Sequence, residues 1–518
     1  MLNTHLFFIM STPLCDNEYG FSVAEHNPFF IFPYLQQLAA KHWAAGEILD
    51  LSRGDPGLGF CPSGRGRAFF SFLMAIDTVL NSNQTGFRIH RKGESAIAEI
   101  EHMIRTEAER QFAPAVAAEH LETLEEVIAK LQGLAKEEGC EISRLDVLQG
   151  IFQRSTLAGG SYHTPWGEPL VKLAIAGMYR DVLHDDTIRS HDLIFTLGVN
   201  DAIGTLFKML GKEGFGFLQA GDTVAASTPA YSPYFNEINK RGLNIVEIPS
   251  DVPGDELTQL EQTAERIKVI FLISPNNPTG VGYDDEQVKK IAEIAEKHDA
   301  LIITDEIYAQ FYADFQTVWQ HAKKRTLRLC GRSKIERSPG LRFGDVLITD
   351  EANEYLTAYF KEYSEAPDFR TQFMWSKAPG GTFASFQHTA AVPGPSQILG
   401  MLHVLLGADE QQGYVEMVDA NMNAFFGELG LQRNNAMYYG LFDLNEVAGS
   451  NKRDVSIDKK LHDLAVKHGV VLIPAMKFFS EAAQIAVDKS QFVRVSLPNL
   501  TTEQATEAAK RIKIYLTS

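Results

Sequence analysis

Four short polar segments of this chain carry side chains that can act together in chemistry. In chain order they supply an asparagine pair, an aspartate with a tyrosine, a lysine and an arginine, within Ser274–Gly280, Thr304–Tyr308, Ser333–Lys334 and at Arg342. Most of them follow an apolar run, which places them at the ends of predicted strands. Open α/β sheets bind ligands at the carboxyl ends of their strands. The segments therefore predict one site that combines an amine, a carboxylate and a guanidinium.

Lys334 and Arg342 are the two cations of this set. A lysine in a short polar turn can act as a nucleophile and then as a general base, because burial and nearby cations favour its neutral form. The planar fork of Arg342 could clamp a phosphate group. The structural alternatives are a surface lysine and an ion-paired arginine, and the order of the four segments favours the chemical interpretation.

Asp305, Tyr308 and Asn277 could hold an aromatic ring. Asp305 ends an apolar strand and could pair with a protonated pyridine nitrogen, while Tyr308 and an Asn amide could reach a ring oxygen. The structural alternatives are a helix-capping Asp, a core Tyr and a polar turn. With the lysine and the arginine, this is the set needed to hold pyridoxal 5′-phosphate (PLP). That cofactor carries the electron-sink chemistry, and the protein orients it.

Three further positions fit the same interpretation. A predicted helix opens at Gly198, directly after a strand, and its unpaired N–H groups and dipole suit a phosphate. Tyr231 follows another strand and could contact the ring, or it could be a core aromatic. Arg494 lies inside an apolar strand, where a buried charge needs a partner. A substrate carboxylate and a structural salt bridge are both compatible with Arg494.

The composition excludes some classes of function. The 518 residues include 48 Lys and Arg and 66 Asp and Glu, a formal net charge of −18, so no nucleic-acid partner is expected. The four cysteines are widely spaced, which predicts free thiols in a reducing compartment and no metal site. No apolar run is long enough for a membrane helix, and residues 6–10 lack the flanking charges of a signal peptide. We expect a cytoplasmic protein with no membrane partner.

Predicted strands and helices alternate from about residue 160, which indicates an α/β fold. Continuously apolar segments predict parallel strands covered on both faces; the strands are expected at 192–196, 223–227, 243–248, 269–273, 300–303, 327–330 and 341–348. A helix is expected at 198–210, and earlier helices at 33–45 and 68–81. Residues 92–139 are dense in Ala, Glu and Leu and predict a helical insertion.

The last third of the chain is less regular. Residues 350–395 are interrupted by many Pro and Gly, so no regular element is predicted there. Helices are expected at 396–406 and 411–430. The C-terminus predicts a compact α+β unit; its elements are a helix at 457–468, strands at 470–473 and 492–496, and a helix at 502–516.

These residues resemble the class I/II aminotransferases, which are PLP enzymes of fold type I, from about Leu51 to the C-terminus. The resemblance implies that Lys334 forms the Schiff base and acts with Asp305 and Tyr308 in catalysis. It implies a cofactor site built from a larger set: Val199, Asn200, Tyr231, Asn277, Asp305, Tyr308, Ser333, Lys334, Arg342 and Tyr162, the last from a neighbouring subunit. The implied substrate site consists of Gly54, Arg53, Asn277 and Arg494.

The resemblance also implies an architecture and an activity. The fold would be a mostly parallel central sheet flanked by helices, plus a smaller α+β domain from both chain ends. The expected division is 1–160, with the insertion at 92–139, then 161–405 as the large PLP-binding domain, and 406–518. The activity would move an amino group from an L-amino acid to a 2-oxo acid, in a homodimer with shared active sites.

The chain departs from the family pattern at several points. Gly331 stands where a phosphate-binding Ser is common, and Pro474-Ala475 replaces a Pro-Gly pair. The length, the Arg53-Gly54 pair and the stretch from His388 resemble aspartate 4-decarboxylase, a larger branch of the same fold. A PLP-dependent aspartate 4-decarboxylase is therefore the alternative activity. A PLP-dependent regulator without turnover is a third, which the acidic balance disfavours.

Overall fold

A computed structural model describes most of the chain. The described residues are 13–56, 64–80, 94–154, 166–249, 257, 260, 263, 265–363, 366–377, 392–435, 437–480 and 491–518. Tyr162 and residues 388–391, the first part of the stretch from His388 to Gln397, were singled out from the sequence and lie outside these residues.

Twelve strands are present in the described residues. In chain order they are β1 (Leu49–Asp50), β2 (Leu193–Thr196), β3 (Thr223–Thr228), β4 (Asn244–Pro249), β5 (Ile267–Ile273), β6 (Leu301–Asp305), β7 (Thr326–Gly331), β8 (Gly344–Leu347), β9 (Tyr439–Asp443), β10 (Val470–Val471), β11 (Ile473–Pro474) and β12 (Phe492–Ser496).

Fifteen α-helices are present in the same residues. They are α1 (Pro28–His42), α2 (Gly64–Leu80), α3 (Glu94–Gln111), α4 (Pro114–Glu137), α5 (Arg144–Gln149), α6 (Pro169–Leu183), α7 (Val199–Leu210), α8 (Ser232–Asn239), α9 (Asp285–His298), α10 (Asp350–Tyr359), α11 (Phe369–Lys377), α12 (Gly394–Leu406), α13 (Ala408–Leu429), α14 (Ile457–His468) and α15 (Thr502–Thr517).

The chain forms two compact units. Unit one comprises the described parts of Met1–Phe60, Ala220–His321 and Gly413–Ser518, and unit two those of Cys61–Gln219 and Ala322–Gln412. The predicted division at 160 and 405 stays a prediction about domains. No helix among the described residues combines the length and apolarity needed to span a membrane.

Unit one contains four parallel strands in the order β6, β5, β3, β4. Strands β5 and β6 are almost wholly buried, as their continuously apolar sequences predict. Their register places Ile273 beside Asp305, so the segments that follow both strands leave the sheet at the same edge. This edge holds Asn277, Asp305 and Tyr308.

Unit two contains the strands β2, β8 and β7, and β8 is antiparallel to both neighbours. The predicted sheet was mostly parallel, and β8 is the strand that departs from the parallel direction. A short polar connection, residues 332–343, joins β7 to β8 without a crossover helix, and a parallel pair needs such a crossover. That connection carries Lys334 and Arg342.

Two smaller sheets and a large apolar core complete unit one. Strands β11, β12 and β9 pair antiparallel, while β1 pairs parallel with β10. The core joins both chain ends, because buried residues from Phe21 to Leu51 pack with others from Met422 to Leu516. The C-terminal order of helices and strands is confirmed, except that the strand predicted at 470–473 is two short strands, β10 and β11, in different sheets, and that β9 was not predicted.

Several predicted element boundaries differ from those observed. The helix predicted at 33–45 is α1, which starts at Pro28 because the Asn27 side chain accepts the Phe29 N–H at 2.9 Å. Within 92–139 the described residues form α3 and α4, so the predicted helical structure is confirmed, and its role as an insertion stays a prediction. Helices α10 and α11 lie in 350–395, where no helix was predicted. The Thr349 side chain caps the start of α10 by accepting a hydrogen bond from the Ala352 backbone N–H.

Candidate active site

Asp305 is the buried carboxylate at the carboxyl end of β6. Its side chain accepts hydrogen bonds from the Tyr234 hydroxyl and from the Ile307 backbone N–H, the latter at 3.1 Å. Asp305 is only 2% exposed. Burial, and then the Asp305 charge, raise the pKa of Tyr234 well above its usual value, so its phenol stays protonated and donates. Tyr234 lies on α8, one turn after Tyr231, and the sequence interpretation did not include it.

Three tyrosines form a second buried group beside Gly54. The Tyr308 and Tyr439 hydroxyls lie 3.2 Å apart, and the Tyr438 hydroxyl donates to the Gly54 carbonyl at 3.0 Å. A Cβ at Gly54 would lie 2.3 Å from the Tyr439 hydroxyl, so this approach requires glycine. Burial raises the pKa of Tyr308 well above its usual value. The structure therefore brings Gly54 to Tyr308 through Tyr439, which the sequence did not indicate.

Arg494 is a buried cation on β12, with 2% of its surface exposed. Its Nη2 donates to the Ser52 carbonyl at 2.6 Å and its Nη1 to Asn277 Oδ1 at 3.4 Å, while its guanidinium lies 4.6 Å from the Tyr439 ring centroid. The Nε is buried without a hydrogen-bond partner. No carboxylate pairs with this guanidinium in the part of the chain that the structure describes. An anionic ligand would satisfy it.

Arg53 lies differently from Arg494. Its side chain is 46% exposed and pairs with Asp50 at 3.2 Å, with a second contact to Gln36 at 3.5 Å. The predicted substrate role of Arg53 stays a prediction, and its described contacts are those of a surface ion pair. Tyr231 lies beside Tyr234, with 5.3 Å between their ring centroids.

In unit two, the turn before α7 and the side chain of Arg342 form an anion cradle. Gly198 caps α7 with φ +96°, a conformation that favours glycine. Arg342 donates from Nη2 to the Leu197 carbonyl at 3.0 Å, and a Cβ at Gly198 would meet that Nη2 at 2.8 Å. Val199 is buried and Asn200 is exposed at the first turn of the helix. A helix N-terminus beside a guanidinium is suited to a phosphate.

Lys334 lies in the turn after β7, between two oppositely charged buried residues. The Arg332 Nη1 donates to Glu336 at 2.8 Å, and its Nη2 donates to the Tyr179 hydroxyl at 2.9 Å and to Asp345 at 3.3 Å. We call Arg332, Glu336, Tyr179 and Asp345 the Lys334 clamp. All four are at most 1% exposed, whereas Lys334 is half-buried and Ser333 is 8% exposed.

The clamp was missed in the sequence. Its only signal was an Arg and a Glu four residues apart around a candidate lysine, and such pairs are common on helix surfaces. Gly331, which stands where the family commonly has a Ser, pairs in register with Gly344 on β8. Because both residues are glycines, neither position of this pair carries a side chain.

Each unit carries donors of the kinds that PLP needs. Unit one provides a buried carboxylate at Asp305 and a buried cation at Arg494, whose Nε has no hydrogen-bond partner. Unit two provides an amine at Lys334 and a helix N-terminus with Arg342 that suits a phosphate. Each of these groups was singled out from the sequence, and that they act together in one cofactor site stays a prediction.

Comparison with known proteins identifies the family. The family model described as aminotransferase class I and II matches residues 160–512. A bifunctional aspartate aminotransferase and L-aspartate beta-decarboxylase from a Pseudomonas species is 26% identical over 56% of this chain and 62% of its own length. An aspartate/prephenate aminotransferase from Thermus thermophilus is 27% identical over 42% of this chain and 57% of its own length. The chain thus spans less than two thirds of these curated relatives.

A solved structure agrees on the fold. An aminotransferase from Mycobacterium tuberculosis superposes with a TM-score of 0.57 and 19% identity, covering 97% of this chain and 99% of that one. This likeness confirms the predicted α/β class, with a mostly parallel sheet flanked by helices. The chain belongs to the class I and II aminotransferase family.

Proposed function

We propose that this protein is a PLP-dependent aminotransferase that moves an amino group from an L-amino acid to a 2-oxo acid. The observation that carries this proposal is Arg494, a buried guanidinium that contacts Asn277 and has no carboxylate partner among the described residues. A buried cation without a carboxylate partner is suited to bind a ligand that contains a carboxylate. Amino acids and 2-oxo acids both do so.

Two groups of residues would hold the cofactor. Lys334 would hold it covalently through its amine, and Arg342, Val199, Asn200 and Ser333 would bind its phosphate. Asp305 would pair with the ring nitrogen, while Asn277 and Tyr308 would donate to the ring oxygen and Tyr231 would lie against the ring. Tyr162 would reach the phosphate from a neighbouring subunit, as the family resemblance implies.

The chemistry divides between the cofactor and the protein. Bound PLP supplies an electron sink for negative charge at the substrate α-carbon. The released Lys334 amine would move the proton at that carbon, and Arg494 would orient the substrate by its carboxylate. Tyr234 would keep the Asp305 carboxylate in one orientation, because its hydroxyl stays protonated and donates to it.

The assembly and location are part of the same proposal. If Tyr162 serves a neighbouring subunit, the active form is a homodimer with shared sites. Light scattering on the active protein would test this, because full activity from a monomer contradicts it. We further infer a cytoplasmic enzyme of amino acid metabolism, acting on small molecules.

A screen of amino acids with 2-oxoglutarate tests the proposed activity. The expected result is glutamate formed from 2-oxoglutarate in the presence of PLP and at least one L-amino acid, with no turnover by Lys334→Ala. The relative from Pseudomonas makes β-decarboxylation the second candidate, because its name includes that activity. If aspartate gives carbon dioxide and alanine and no glutamate is formed, the activity is decarboxylation and the proposed transamination is wrong.

A further inference from the structure

A group of aromatic side chains lies beside the Arg494 guanidinium in unit one. Phe29 on α1 lies 5.6 Å from the Tyr231 ring and 6.1 Å from the Phe478 ring, measured between centroids. Arg494 lies 5.4 Å from the Phe478 ring centroid. We call Phe29, Phe32, Tyr231 and Phe478 the aromatic wall, because all four belong to one small apolar cluster.

One residue of the wall is buried and three are partly exposed. Phe478 is fully buried, whereas Phe29, Phe32 and Tyr231 are partly exposed. Phe29 is fixed at the start of α1, where its backbone N–H donates to the Asn27 side chain at 2.9 Å. Its position is therefore set by a helix cap. Rigid rings held in this way offer apolar contact area at a low cost in conformational entropy.

The wall itself carries no charge that would bind an anionic side chain. A dicarboxylate needs a second cation, but none of the four wall residues is charged, and Arg53 pairs with Asp50 at the surface. An acid, Glu247, accepts a hydrogen bond from Ser480, two residues after Phe478. The Phe479 ring in turn lies 5.7 Å from the Phe492 ring, which packs on the same apolar cluster.

From this arrangement we propose that the substrate is an amino acid with an aromatic or large apolar side chain. Its carboxylate binds Arg494 and its side chain packs on the aromatic wall. This inference rests on the proposed aminotransferase activity and specifies its substrate class. The names of the curated relatives include aspartate, so a dicarboxylate is the competing outcome.

The first test measures binding without turnover. Calorimetry on the PLP-loaded protein would compare 3-phenylpropionate with succinate, which both lack the amino group. We expect 3-phenylpropionate to bind at least tenfold more tightly, as burial of a phenyl ring gives in an apolar pocket. Tighter binding of succinate would overturn the inference. The result does not require that any amino acid reacts, so it separates this inference from the proposed activity.

The second test uses a matched pair of neighbours on α1. Phe29→Ala should lower kcat/KM for L-phenylalanine at least tenfold more than for L-alanine. Phe30→Ala is the control, because Phe30 is 53% exposed and is not part of the wall; its ratio of phenylalanine to alanine should stay at the wild-type value. Phe29→Leu keeps an apolar side chain and should show the same direction if Phe29→Ala fails to fold. Equal losses of kcat/KM for L-phenylalanine and L-alanine would contradict the proposed role of the aromatic wall.

Discussion

Arg494 illustrates how a buried charge can indicate a ligand. From the sequence, an arginine inside an apolar strand was compatible with a substrate carboxylate or with a structural salt bridge. The described contacts of Arg494 are a backbone carbonyl, an amide oxygen and aromatic rings, and its Nε has no partner. Because a buried charge without a counter-ion costs several kcal/mol, the described contacts favour a ligand carboxylate.

Replacing Arg494 by Met should therefore damage substrate binding. We expect KM for the preferred amino acid to rise roughly 100-fold, equivalent to about 3 kcal/mol for a lost charge-assisted pair, with a smaller fall in kcat. Steady-state kinetics would measure both. Arg266→Met is the matched control, since Arg266 is exposed and pairs with Asp299 at the surface. An unchanged KM in Arg494→Met would show that another group binds the carboxylate.

Tyr234 marks the limit of sequence reasoning at this scale. Tyr231 and Tyr234 are three residues apart in one segment, and only Tyr231 was predicted to act. Tyr234, on α8, donates a hydrogen bond to Asp305, whereas Tyr231, directly before α8, packs against Phe29. A sequence of two tyrosines cannot assign these directions, because they depend on where the helix begins and on how it packs.

At the scale of elements, the turn after β7 is held by charges rather than by apolar packing. The Arg332–Glu336 pair spans Lys334, and Asp345 and Tyr179 fix Arg332 from β8 and α6. Burial, which outweighs the attraction of Arg332, raises the pKa of Glu336. A buried pair is strongly destabilised when one partner is lost, so the clamp should fix the turn in one conformation.

Changing one partner of the clamp should affect both stability and positioning. Glu336→Gln should lower the thermal midpoint of the cofactor-free protein, by the equivalent of about 3 kcal/mol, and should lower kcat with KM unchanged. The triple variant Arg332→Met, Glu336→Leu, Asp345→Asn should regain stability without regaining kcat, because it removes all three buried charges and restores packing but not the charge pairs. A lower midpoint with wild-type kcat in Glu336→Gln would mean that the clamp only stabilises the fold.

The elements of the central strands were predictable, but two features were not. Continuous apolar runs located β5 and β6, since buried parallel strands need no alternation. Strand β9 was missed because Gly440 interrupts its short apolar pattern. A Cβ at Gly440 would lie 2.3 Å from the Phe426 ring, so packing requires the glycine that hides the strand. The direction of β8 depends on its connection, which apolar periodicity does not report.

At the scale of the whole molecule, His403 links stability to pH. It lies on α12 with 1% exposure, and neither ring nitrogen has a hydrogen-bond partner. Burial, together with Arg67 and Arg332, lowers its pKa to about 3. The unfolded chain binds a proton at a pKa of about 6.5, and the folded chain does not. The stability that depends on a neutral His403 is therefore present above pH 6.5, and it is lost as the pH falls from 6.5 toward 3.

Acid should destabilise the protein through this histidine. Between pH 6.5 and pH 5 the loss should be about 2 kcal/mol, which follows from the difference between the two pKa values. Thermal midpoints at pH 7.5 and pH 5 would measure it, and His403→Leu should reduce the difference between them. The exposed His42 provides the control variant His42→Gln. An identical midpoint difference in His403→Leu would exclude His403 as the cause.

Borohydride reduction of the PLP-loaded protein, followed by peptide mass spectrometry, most directly tests the proposal that Lys334 anchors the cofactor. The predicted result is a pyridoxyl mass on the peptide that contains Lys334, and no such adduct in Lys334→Ala. Lys289 and Lys467 serve as internal controls for nonspecific labelling, since their side chains are 54% and 58% exposed. An adduct on either of these lysines in place of Lys334, or no adduct on any peptide, would contradict the account.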